Sequence, residues 1–126
     1  MSGLAWLITE VIKVKAKQTL AVRLSGKEQA TETVTGFAVG GLFVHHPVTD
    51  ESKPKAWHDQ WVISHSQSGM SLCCWFDKRR DAMNCAREIA DTYDVTAAPK
   101  ELIQQFRERG EKSSVAEIAE KHGMRL

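Results

Sequence analysis

The chain has 126 residues, 42% apolar and 26% charged, a balance that supports one domain with its own core and excludes wholesale disorder. A net charge of +1 excludes bulk attraction to nucleic acid or anionic lipid, so any such attraction must come from local clusters. Three cysteines, two of them adjacent, do not make a disulfide framework, and they predict a chain at home in a reducing cytoplasm.

The first 17 residues, MSGLAWLITEVIKVKAK, hold a short apolar stretch with no basic region before it. Glu10 and Lys13 interrupt it well short of the ~20 residues a membrane span needs, so neither a signal peptide nor a transmembrane helix is expected. Leu4, Leu7, Ile8, Val11 and Ile12 fit a helical period, and the choice between helix and strand over residues 4–12 stays open. Ile12, Val14 and Ala16 then alternate with Lys13, Lys15 and Lys17, and Leu20, Val22 and Leu24 continue the rhythm with Arg23 on the polar side. That pattern predicts a strand with one apolar and one cationic face.

Residues 25–33 read as a polar loop. The run VTGFAVGGLFVHH that follows is β-rich, and its Gly40-Gly41 pair suits a bulge, a tight bend or the turn of a hairpin. Pro47 ends that run. The connection to residue 58 is polar except for Trp57, and long loops of this kind often carry function.

Residues 59–93 are the most legible stretch. Trp61, Ile63 and His65 alternate with Val62, Ser64 and Ser66. After a Gly-containing break, Met70, Leu72, Cys74 and Phe76 alternate with Ser71, Cys73 and Trp75, which predicts a β-hairpin. Cys73 and Cys74, adjacent on this strand, are expected to point to opposite faces. Asp77 stands where an N-cap belongs, and Ala82, Cys85, Ala86, Ile89 and Ala90 form one stripe of a helix over about residues 78–93. Leu72, Cys74 and Phe76 are expected to pack on Cys85, Ala86 and Ile89. Pro99 suits a first helical position, with Leu102, Ile103 and Phe106 as its stripe and Gly110 as the stop. Ser114 and Glu117 form a capping box for a last helix through His122, closed by Gly123.

Strands first and helices afterwards predict an α+β fold: a single domain over residues 1–126, mainly sheet to residue 76 and helical over 77–126. The expected sheet is antiparallel, of about four or five strands, followed by an amphipathic helix and two short C-terminal helices.

Several constellations bear on chemistry. Lys13, Lys15, Lys17 and Arg23 on one face suit a phosphate backbone, and equally suit a strand kept from edge-to-edge association. Lys78, Arg79 and Arg80 form a second basic cluster, placed against the dipole at a helix start and flanked by Asp77 and Asp81. Of four tryptophans, Trp6, Trp61 and Trp75 fall in apolar-patterned segments and are expected in or at the edge of the core. Trp57, between Lys55 and His58, suits stacking on a base, a protein contact, or a lid folded over the sheet. His45, His46, His58 and His65 with the three cysteines lack CxxC or HxxxH spacing, so no metal is expected. No GxSxG, P-loop or GxGxxG is present, and no cofactor or enzymatic activity is expected.

SVAEIAEKHGM, residues 114–124, resembles the first helix and turn of a helix-turn-helix. No recognition helix to enter a groove is expected after Arg125-Leu126, so DNA reading by this motif is not expected.

The leading expectation is a small non-enzymatic cytoplasmic module that binds nucleic acid, single strands included. Lys13, Lys15, Lys17 and Arg23 would form its sheet face, with Trp57, Lys78, Arg79 and Arg80 as accessories. The alternative is a protein-binding accessory or inhibitor of a larger complex, acting through the 47–58 loop and the C-terminal helices. A small enzyme or metal protein built on His45, His46 and Cys73 is the third reading.

Overall fold

The structure, a computed structural model, describes residues 14–24, 28–47, 54–110 and 114–125. The expectations for Trp6, for residues 4–12 and for Lys13 lie outside that set, as do those for the side chains of Lys15, Arg23 and Cys74. Among the described residues five strands form one antiparallel sheet in chain order: β1 Val14–Leu24, β2 Glu28–Val39, β3 Leu42–His45, β4 Trp61–His65 and β5 Ser71–Phe76. Four helices accompany them among the described residues: α1 Lys55–His58, α2 Arg79–Thr92, α3 Pro99–Arg109 and α4 Val115–Lys121. The α+β class and the antiparallel sheet are therefore as the element order predicts. None of the described helices is long and apolar enough to cross a membrane.

Residues 28–33 are not a loop: β2 starts at Glu28 and pairs with β1 from Leu24↔Glu28 to Val14↔Ala38. Polar β-branched residues carry the strand there, and the Thr19 and Thr33 hydroxyls meet across the pair at 3.1 Å. Only Gly36–Val39 of β2 also pairs with β3. Gly40-Gly41 is the two-residue turn between them, with Gly40 at φ +57°, a conformation a hairpin this tight demands and glycine supplies without strain.

Helix α2 lies across the sheet. Its stripe of Ala82, Cys85, Ala86 and Ile89 is fully buried against Val39, Leu42, Val44, Ile63, Cys73 and Phe76. Burying each large aliphatic side chain there contributes roughly 1.5–3 kcal/mol relative to exposure. Leu102 of α3 and Ile118 and Ala119 of α4 extend the same core. Phe43, His45, Val62 and Ser64 are buried as well, so β3 and β4 are covered on both faces, which is why β3 lacks any polar alternation.

The hairpin β4–β5 forms as predicted, but its second strand does not keep period two. Trp61 pairs with Phe76, Ile63 with Cys73 and Ser64 with Ser71, so β5 spends extra residues twice against β4. Trp61 and Ile63 share a face, hence Phe76 and Cys73 share one although they stand three apart. Cys73 and Phe76 pack on α2 with Leu72 only partly buried beside them, so Cys73, which the alternation placed on the other face, joins the packing set.

The helix ends follow local chemistry with one exception. Pro99 opens α3, Gly110 ends it at φ +70°, and the Ser114 hydroxyl accepts the Glu117 N–H at 3.1 Å. At α2 the N-cap is Lys78 with no side-chain cap, not Asp77. The Asp77 carboxylate is taken instead by Gln60 Nε2 at 2.8 Å and Arg125 Nη1 at 3.3 Å. At the other end of the same helix Glu88 holds α4, accepting from Lys121 Nζ at 2.5 Å and His122 Nε2 at 2.9 Å.

Candidate functional site

Between the N-terminal half of α2 and the sheet lies a cleft of about 610 Å³ lined by Phe37, Trp61, Arg79, Arg80, Met83, Asn84 and Arg87. Each wall has a local cause. Phe37 on β2 and Trp61 on β4 stand on the face that α2 covers, near its start, where the helix leaves them half exposed. On the helix, Arg80, Met83, Asn84 and Arg87 recur at helical spacing along the flank of the buried stripe. The rings of Phe37 and Trp61 lie 6.4 Å apart, and the Arg79 guanidinium carbon sits 4.7 Å from the Phe37 centroid. That cation–π contact gives the cluster at the helix start a structural partner and holds one charge over an aromatic floor. Arg80 reaches Asp81 at 3.7 Å with its side chain still 74% exposed. The buried Nε–H of Arg87 finds no acceptor among the described residues.

Lys17 belongs to the same face. It pairs with Thr35, which lies two residues from Phe37, and all three positions therefore point to one side. Lys17 is exposed, and the backbone of Lys15 pairs with that of Phe37. Lys78 is exposed and caps α2 through its backbone; the cleft is lined from Arg79 onward.

Trp57 is elsewhere. It sits on α1, a short helix inside the long connection, with its ring 5.2 Å from Trp75 in an edge-to-face contact. The two indoles, with Ala56, Gln60 and Arg125, line a second pocket of about 370 Å³. Trp75 is not a core residue: it is 36% exposed and takes φ +71°, the left-handed region, at the irregularity of β5. Such a conformation costs a bulky residue of order 1–3 kcal/mol and holds the indole outward. Composition flagged Trp57 and the arginines separately; nothing in the local pattern pointed to Phe37, Arg87 or the exposure of Trp75.

The histidines are used inside the fold. His45 Nδ1–H donates to the His46 carbonyl at 2.7 Å, leaving Nε2 to accept the Ser64 hydroxyl at 2.8 Å. Nucleophile and base are in reach, yet both residues are 3% exposed, and burial lowers the His45 pKa below its ordinary value. His46 turns the other way and stacks on Trp61 at 3.8 Å. His65 is buried between Ser68 Oγ at 2.8 Å and the Ala97 carbonyl at 3.0 Å. Cys73 faces Cys85 rather than His45, so the set His45, His46 and Cys73 does not converge. No cluster of three metal-ligating side chains occurs among the described residues.

Comparison with protein-family models, with curated proteins and with solved structures returned no match, so function is read from this geometry.

Proposed function

We propose that the chain is a non-enzymatic module that binds single-stranded nucleic acid in the cleft between α2 and the sheet. The observation that carries this is that Arg79, Arg80 and Arg87 line one open cleft together with two aromatic rings, Phe37 and Trp61. Guanidinium groups neutralise phosphates, and aromatic faces stack bases with little regard to sequence. The unpaired Arg87 Nε–H supports an anionic occupant, because a buried donor without an acceptor is stabilised by one. Lys17 extends the cationic surface along the same face. Two reduced thiols in contact, Cys73 and Cys85, favour a reducing compartment such as the cytoplasm as the place of action.

The test is fluorescence anisotropy with labelled single-stranded and duplex oligonucleotides at several salt concentrations. Arg79→Gln, Arg80→Gln and Arg87→Gln combined should flatten the log–log salt dependence by about two units, at roughly 0.7 per lost contact on single strands. Absence of binding to either form at low salt would overturn the proposal and promote a protein partner in its place.

A further inference from the structure

The pocket between Trp57 and Trp75 has no part in the cleft, and it has a construction of its own. We infer that it is a base-reading pocket that selects adenine and cytosine, whose amino group stands where guanine, thymine and uracil carry a carbonyl, and this rests on the nucleic-acid reading above. Two observations point to a ligand independently. Trp75 is held outward by a left-handed backbone at φ +71°, so that a large ring is 36% exposed on a strand that otherwise buries Cys73 and Phe76. Gln60, only 7% exposed and lining the same pocket, leaves its side-chain oxygen without a donor while its Nε2 is committed to Asp77.

That hydrogen bond fixes which end of the amide is free. The Asp77 carboxylate accepts from Nε2, so Oε1 is the unpaired acceptor. An acceptor beside aromatic faces discriminates among bases: adenine and cytosine offer an amino donor at the position where thymine and uracil offer a carbonyl. Arg125, which also lines the pocket, supplies a cation for the adjoining phosphate. The oxygen is itself covered, and it becomes reachable when α1, whose Trp57 rests edge-to-face on Trp75, shifts to admit the base.

The experiment uses the full chain with labelled oligodeoxynucleotide homopolymers of about 12 nucleotides, within the span of known single-strand sites. Oligo(dA) and oligo(dC) should bind about tenfold tighter than oligo(dT). Gln60→Met, which keeps the side-chain length and removes the acceptor, should abolish that preference, with circular dichroism reporting an unchanged fold. Trp57→Ala should weaken oligo(dA) at least fivefold. Equal binding of all three homopolymers, or a preference that survives Gln60→Met, overturns the pocket while the cleft reading stands. No binding of any of them at low salt overturns both.

Discussion

The thiols of Cys73 on β5 and Cys85 on α2 share a hydrogen bond across the main strand–helix interface. That bond and burial raise the Cys73 pKa far above its ordinary value, so the reactive thiolate is suppressed. Neither should react with iodoacetamide in the native protein, and both should become labelled together as the chain unfolds in denaturant. Rapid labelling of either thiol under native conditions, read by peptide mass spectrometry, would contradict this packing.

Ile89 is fully buried beneath the sheet, whereas Ile103 on α3 is 36% exposed. Ile89→Ala should cost about 2–5 kcal/mol in chemical denaturation, the range for truncating a buried aliphatic side chain. Ile103→Ala should stay within about 1 kcal/mol. Similar losses at the two positions would mean that α2 does not carry the core as described.

Gly36 lies where β2 meets β3 so closely that an added Cβ would run into the Val44 carbonyl oxygen and the His45 side chain. Gly36→Ala should therefore destabilise by about 1–3 kcal/mol through overpacking against backbone that cannot retreat. A thermal melt unchanged from wild type would show that the strands have room to separate there.

Lys121 and then His122 hold the Glu88 carboxyl below the usual carboxylate range. Because the folded value is the lower one, this contribution is complete above the unfolded pKa of about 4.3 and is lost as pH falls through the folded value. The group is partly exposed, so its contribution is small and screened by salt. Glu88→Gln should lower stability at neutral pH and flatten the acid limb of the stability profile. The difference between variant and wild type should vanish at the lowest pH, as denaturation curves across the acid range would show.

Local chemistry wrote much of this fold into the sequence. Period-two alternation marked β1 and the β4–β5 hairpin, the 3.6-residue stripe marked α2, and Pro99, Gly110 and Ser114 placed the ends of α3 and α4. Each of those signals acts within a few residues, so it survives reading the chain without its tertiary structure. The extra residues of β5 do not, because they exist only relative to β4, and they decided that Cys73 joins Phe76 in facing the helix. Likewise Asp77 had the right chemistry for a cap, but Gln60 and Arg125 compete for its carboxylate from distant parts of the chain. The cleft shows the same division. The sequence by itself placed cationic clusters at Lys13–Lys17 and Lys78–Arg80 and an unusual tryptophan at position 57. Only tertiary structure set Phe37 beneath Arg79, added Arg87, and moved Trp57 away to Trp75, because side chains far apart in sequence meet by strand register and helix docking rather than by any local preference.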